Sequence, residues 1–521
     1  MLAWAEALNR LDESRLVTWE DGQFALVPGH PSDPGAAAAH CVGWLPPLPL
    51  ENLGDPAFRH AHGLRYAYVA GAMANGIASV ELVAAMARAG MLGFFGAAGL
   101  DLERIEGAID RLTADLAGRP FGFNLIHSPN EPDREAATVD LYLRRGVRLV
   151  EAAAYLALTL PVVRYRVAGI TRDADGKVFA PNRIVAKVSR VEVATKFFSP
   201  PPVELLNELV RTREITAEQA ALATQIPMAQ DVTAEADSAG HTDNRPLVTL
   251  LPTLLALRDR LQAKFAYAEP LRVGAAGGLS TPGALAAAFA MGAAYVVTGS
   301  VNQACVESGS CDAVPRLLAQ AKQADTAMAP AADMFEMGVK VQVLKCGTMF
   351  PMRATKLYEL YRAHPSLEAL PDADRAALEK QFFRATLEEA WQGTREFFLK
   401  RDPREVERAE RDPKHRMALV FRGYLGLSSR WANAGEPSRA LDYQVWCGPA
   451  MGAFNEWARG SCLELPEHRR AALVALQLLH GAAFQLRVAA LRTQGVPLPA
   501  GLSYAPPREF ADLIQATPND E

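Results

Sequence analysis

From about residue 66 the chain alternates short apolar runs with longer amphipathic stretches. The apolar runs are AYVAG (67–71), LGFFG (92–96), FGFNLI (121–126), LVEAAA (149–154), IVAKVS (184–189), DVTAEA (231–236), LRVGAA (271–276) and AYVVTG (294–299). Runs of five or six apolar residues bounded by glycine and polar caps suit strands buried on both faces. Between them lie segments with helical periodicity, among them SVELVAAMARAG (79–90), LERIEGAIDRLTADLAG (102–118) and PLVTLLPTLLALRDRLQAK (246–264). Eight strand–helix repeats in this space predict an α/β fold: one closed (β/α)₈ barrel, of the TIM type. An open doubly wound sheet competes, but no strand–GxGxxG–helix unit with a following acid supports it.

Three departures from the repeat are visible. Residues 1–45 predict a small appendage with a hairpin around Asp21-Gly22, and the Pro-rich WLPPLPL (44–50) links it to the barrel. Asp175-Gly176 lies between alternating residues after the fourth strand and predicts an inserted β-hairpin. The segment FFSPPPVELLNELVRTREITAEQAALAT after the fifth strand is too long for one crossover helix and predicts two, with Thr216 near the start of the second. Beyond residue 346 the strand signal stops. The organisation predicted is therefore an appendage (1–45), a barrel (46–345) and a helical C-terminal cap or substrate domain (346–521), loosely held after Pro497.

Composition narrows the function. Of 521 residues 50% are hydrophobic and 22% charged, enough for a large core, and the net charge of −5 argues against nucleic acid as a partner. The six cysteines, at 41, 305, 311, 346, 447 and 462, form no CxxC pair and no zinc spacing, so no metal is expected and a reduced, cytoplasmic setting is. The most apolar helical stretch, Ala471 to Leu491, is interrupted by Gln477, His480, Gln485 and Arg487, which reads as core or interface rather than membrane span.

Candidate chemistry clusters at the expected strand ends. Glycine-rich segments follow the seventh and eighth strands, GAAGGLSTPGALAAA (274–288) and VVTGSVNQ (296–303). Gly277-Gly278 and Gly299-Ser300 there let backbone N–H groups approach an anion, the place where barrels commonly hold phosphate. His241 follows the sixth strand, where an imidazole titrating near working pH suits proton transfer. His127, Cys305 and Cys311 read as structural. The mixed-charge segment 395–416 reads as a solvated surface. With Lys340, Lys345, Arg353 and Lys356 it is a candidate docking face for an acidic partner.

Seven segments in order carry a resemblance: GAMANGIAS (71–79), MLGFFGAAG (91–99), FGFNLIHSP (121–129), VAKVSRVEVATKF (185–197), ADSAGH (236–241), AAGGLSTPGALAAAFAMGA (275–293) and TGSVNQ (298–303). They resemble the flavin-dependent barrel group of nitronate monooxygenases and bacterial FMN-dependent enoyl-acyl carrier protein reductases. The segments KVSRVEVATKFFSPPP, MGVKVQVLKCGTMFPMRATKLYELY and VWCGPAMGAFNEW further resemble the PfaD-like branch. These are the trans-acting enoyl reductases of polyunsaturated fatty acid and trans-acyltransferase polyketide synthases.

The resemblance implies an oxidoreductase using FMN and NADPH (or NADH) on acyl carrier protein-bound 2-enoyl thioesters. It would place Ala72, Met73 and Ala74 along the flavin ring, Asn124 at its polar edge and Lys187 nearby. Gly277, Gly278, Gly299 and Ser300 would hold the phosphate, with Gly240 and the catalytic His241 beside the ring. The family often reads Gly-Gly-His there; this chain has Ala239-Gly240-His241. The helical domain would cover the barrel mouth, and a homodimer is the prior from symmetry. A nitronate monooxygenase-type oxidoreductase and a non-catalytic flavin-bound scaffold are the alternatives.

Overall fold

The computed structural model describes residues 2–20, 22–33, 40–127, 131–240, 242–502 and 506–507. Its centre is a closed barrel of eight parallel strands: β1 (Tyr68–Ala70), β2 (Leu92–Phe95), β3 (Gly122–Ile126), β4 (Leu149–Ala153), β5 (Arg183–Val188), β6 (Asp231–Glu235), β7 (Arg272–Ala276) and β8 (Val296–Thr298). These are the eight apolar runs, in order. They are apolar on both faces because the interior and the helical ring each bury one side. Val69, Leu92, Phe94, Val185, Tyr295 and Val297 form a buried cluster inside the barrel, separate from the larger helix-facing core. The helix Pro56–His62 closes the barrel at the strand N-termini, with the Phe58 ring stacked on Tyr295 at 4.0 Å.

The hairpin after β4 is present as Thr171–Arg172 paired antiparallel with Val178–Phe179. After β5 the helix Val191–Phe198 is followed by the two expected helices, Val203–Arg211 and Ala217–Ala223. Ser199 and the prolines through Pro202 break the first stretch, where proline cannot continue a helix. Thr216 opens the second of that pair, as expected, with a reciprocal capping box to Gln219. The appendage holds Arg15–Glu20 paired with Gln23–Pro28 and a third strand, Cys41–Leu45, on its other edge; Asp21 of the expected turn lies outside the described residues.

A second core begins before residue 346. An antiparallel pair, Thr326–Pro330 with Lys340–Leu344, contributes Ala329, Val341 and Val343 to a cluster that also holds Phe350, Trp391, Phe421 and Tyr424. Two long helices of this unit matter most: α1 (Leu387–Arg401) and α2 (Pro413–Ala434). The last helix, α3 (Ala471–Thr493), does not join that core. Its Val474, Leu478 and Ala482 pack into the barrel's core, and its Phe484, Val488 and Leu491 pack with Leu8, Val17 and Leu45 of the appendage. It is the one described helix long and apolar enough to cross a membrane, and 72% of its most apolar stretch is buried inside the fold.

Candidate functional site

All eight strands end at one rim, and the segments after them line a cavity of about 960 Å³ that continues between α1 and α2. Ala72, Met73, Ala74, Asn124, Lys187, Gly240, Gly277, Gly278, Gly299 and Ser300 all line it. His241, expected beside them, lies outside the described residues. The structure thus brings together ten residues that are up to 228 positions apart in the chain, between Ala72 and Ser300.

The loops that carry them are tightly fixed. Gly71 N–H donates to Thr298 O (3.0 Å), joining the ends of β1 and β8, and Gly76 N–H donates to Gly96 O (2.9 Å). Gly96 has no alternative residue type: an added Cβ would lie 1.7 Å from Met73 O. On the opposite wall Gly277 and Gly278 have φ of +90° and +73°, the left-handed region that glycine enters at no steric cost. A Cβ at Gly277 would meet the backbone of Ala236 at 2.7 Å, whereas one at Gly278 or Gly299 would meet nothing within 4 Å. Ser280, next along, lines the cavity with a buried hydroxyl that no protein group satisfies. Open backbone beside an unsatisfied hydroxyl, ahead of the helix Pro282–Ala290, is a fitting cradle for a phosphate.

The floor holds a group that the sequence reading missed. Glu151 in the middle of β4 is fully buried; its Oε2 accepts from Ala72 N–H at 2.9 Å, and its Oε1 has no protein partner. Burial pushes its pKa up to about 7, against the pull of the Lys187 ammonium and the Ala72 N–H; Glu235 adds to the rise. Lys187 Nζ on β5 pairs with Glu235 Oε1 on β6 at 2.9 Å. Burial works against the Lys187 charge, but Glu235 and then Glu151 overcome it and hold the ammonium above its ordinary range. Asn124 Nδ2 donates to the Glu151 carbonyl at 3.3 Å. A carboxyl poised near neutrality at the base of a cavity can hold or release a proton at Oε1.

The sign of this effect on stability is fixed by the raised pKa. Glu151 contributes fully below the ordinary glutamate value of about 4.3, and stability falls as pH rises to about 7. Glu151→Gln is expected to flatten that decline in urea unfolding. An unchanged slope between those pH values would show that Glu151 does not titrate there.

The helical unit is bolted to the same rim. Asn75 Nδ2 donates to Ser429 Oγ on α2 (3.0 Å), and Asn433 Nδ2 donates back to Asn75 O (3.2 Å). Gln342 Nε2 donates to Asp237 Oδ1 (2.7 Å) in the loop after β6, and Gly448 N–H donates to Ser300 Oγ (3.5 Å). Other candidates fall away from the site. His127 Nδ1 pairs with Glu135 (2.9 Å), and Cys305 is buried, its thiol pushed well above its usual range by burial. Arg353 is not a docking cation: it is buried against Asp442.

A parallel barrel whose last two strand ends leave open backbone beside an unsatisfied hydroxyl, roofed by a helical unit, is a capped (β/α)₈ barrel. The chain belongs to the nitronate monooxygenase family, whose model matches residues 59–357, and within it to the PfaD-like branch. The inserted helical domain of [acyl-carrier-protein] S-malonyltransferases matches residues 364–443, the segment holding α1 and α2. One component of the polyunsaturated fatty acid synthase of Thraustochytrium sp. is 50% identical over 453 residues, 86% of this chain and 30% of that protein. Polyketide biosynthesis protein PksE of Bacillus subtilis is 46% identical over 418 residues, 80% of this chain and 54% of its own length. The chain therefore spans about half or less of these curated relatives. The crystal structure of the enoyl reductase domain of MlnA, from the macrolactin biosynthesis cluster of Bacillus amyloliquefaciens, matches with a TM-score of 0.81 and 38% identity. That match covers 85% of this chain and all of that one.

Proposed function

We propose that the chain is a trans-acting enoyl reductase, which saturates the α,β double bond of 2-enoyl thioesters on acyl carrier protein with electrons from NAD(P)H by way of FMN. The observation that carries this reading is the single cavity joining the phosphate cradle and Glu151 to the channel between α1 and α2. A planar cofactor and a long thioester arm need such adjoining spaces. The names of PksE, of the fatty acid synthase component and of the MlnA domain support it.

FMN, when bound, supplies the hydride that the nicotinamide gives up. Gly277, Gly278, Gly299 and Ser300, with the unsatisfied Ser280 hydroxyl, would hold its phosphate. The segment Ala72–Ala74 and Asn124 would border its ring, and Glu151 Oε1 is an acceptor at the floor. The chain's remaining task is the developing enolate, which needs a donor at the thioester oxygen and a proton at the α-carbon. His241, following the cavity-lining Gly240, is assigned to that task. The apolar helical roof excludes water from the reacting carbons, and acidic carrier domains of a polyketide or fatty acid synthase are the partners.

The test is anaerobic single turnover with NADPH and a synthetic crotonyl-carrier thioester. NADPH oxidation should be matched by the gain of one hydrogen pair in the carrier's mass. Oxygen-dependent turnover of a nitronate without nicotinamide, and none of the thioester, would favour the second reading that the family model's name suggests.

A further inference from the structure

The channel between α1 and α2 has a composition that the barrel does not explain. Along α1 the cavity-facing residues recur at helical spacing as Glu389, Gly393, Phe397 and Arg401, and along α2 as Gly423, Leu427 and Arg430. Glycine inside a helix costs up to about 1 kcal/mol relative to alanine. Yet Gly393 and Gly426 sit there with nothing within 4 Å of an added Cβ. Their placement keeps the bore wide.

The outer end of this bore is cationic. Arg401 and Arg430 both stand over the Phe397 ring, with guanidinium carbons 5.4 Å and 5.1 Å from its centroid. Arg401 is engaged, with Nη2 2.7 Å from Glu131 Oε2. Arg430 is exposed to the cavity and makes no hydrogen bond or ion pair among the described residues. Nearby stand Arg104 and Arg134, and the acids acting on this group of cations are Asp101 and Glu131. Burial first, then Arg401 and Arg104, hold the Arg430 guanidinium below its ordinary range, and Asp101 opposes them only in part. Guanidinium forks of this kind match phosphate oxygens.

We propose that Arg430, backed by Arg401 across Phe397, is a phosphate-ester subsite at the outer end of the channel, and that the phosphate it takes is that of the phosphopantetheine arm bearing the thioester. This rests on the enoyl reductase reading for the identity of the ligand. The phosphates of the nicotinamide dinucleotide present the same chemistry, so the test separates the two sources.

The probes are S-crotonyl-4′-phosphopantetheine and its dephosphorylated counterpart, S-crotonyl-pantetheine, with NADPH. The wild type should prefer the phosphorylated thioester by about tenfold or more in kcat/KM, as one charged hydrogen bond supports. In Arg430→Ala the ratio should fall to near one, and Arg430→Lys should restore part of it. Flavin content serves as the folding check. If Arg430→Ala leaves the ratio intact but raises KM for NADPH, the subsite stands with the dinucleotide as its occupant. If neither quantity moves, the proposal is overturned. Should the wild type reduce neither thioester, the enoyl reductase reading fails, but calorimetry still decides the subsite. Phosphopantetheine should then bind the wild type more tightly than pantetheine and lose that advantage in Arg430→Ala; equal affinities in the wild type would end the proposal.

Discussion

His241→Ala is expected to lower kcat for enoyl reduction by about 10²–10⁴-fold, the range that a positioned acid or base contributes. Flavin content and the rate of NADPH oxidation in the first half-reaction should stay close to wild type, so that the loss falls on thioester reduction. The residues that flank it in the chain are firmly held. On one flank Asp237 Oδ1 accepts from Asn244 Nδ2 (2.6 Å) and Gln342 Nε2 (2.7 Å). On the other Asp243 accepts from Arg190 Nε and Nη2 (2.8 and 2.7 Å) and from Ser189 Oγ (2.8 Å). The described residues on either side are thus tied to each other, to β5 and, through Gln342, to the roof. Stopped-flow traces of the two half-reactions decide the matter: a full rate of crotonyl-thioester reduction in the variant removes His241 from the chemistry.

The largest effect on stability is expected at the opposite end of the barrel. Asp231 and Arg272, the first residues of β6 and β7, are 2% and 1% exposed. Arg272 Nε donates to Asp231 Oδ1 (2.6 Å) and Nη2 to Oδ2 (3.0 Å), and His62 Nε2 stands 2.9 Å from Oδ2. Asp231→Ala should cost up to about 3–5 kcal/mol, because it leaves the buried Arg272 charge with only the longer contact to Glu269 (3.1 Å) to offset it. That is a large share of the roughly 5–15 kcal/mol that holds a typical fold together. Burial opposes the charge on Asp231, but Arg272 and then His62 overcome it and hold the carboxyl well below its usual range. A depressed carboxyl contributes stability above its unfolded value and loses it as pH falls toward its folded one. The gap between wild type and Asp231→Asn should therefore be full at neutral pH and shrink below about pH 4. A gap that stays constant into acid, or a midpoint of thermal unfolding unmoved by Asp231→Ala, would contradict this account.

Much of the barrel was legible because two-sided burial writes itself into the sequence as continuous apolar runs, and all eight are strands. The open turn after β7 was legible for a related reason, since Gly277 and Gly278 adopt a backbone that few other residues tolerate. The Glu151–Lys187–Glu235 group was not, because its members are brought together only by the side-by-side register of β4, β5 and β6. A trace of it existed: an acid in the middle of the apolar run LVEAAA has no place unless something meets it. The edge of the second core was hidden as well, because the pair Thr326–Pro330 and Lys340–Leu344 continues the strand-like texture of the barrel. The place of α3 could not be read at all, since an apolar helix does not announce which core it will join.

That helix also sets how the molecule would bear load. Gln494 Oε1 accepts from Trp44 N–H and its Nε2 donates to Trp44 O, both at 2.9 Å, and Arg487 reaches the carbonyls of Arg10 and Glu13. Helix α3 is thus clasped to the appendage, at its third strand and at the turn after the helix Leu2–Asn9. Tension applied between the appendage and α3 would be met by this clasp, and the barrel strands would lie outside the line of force.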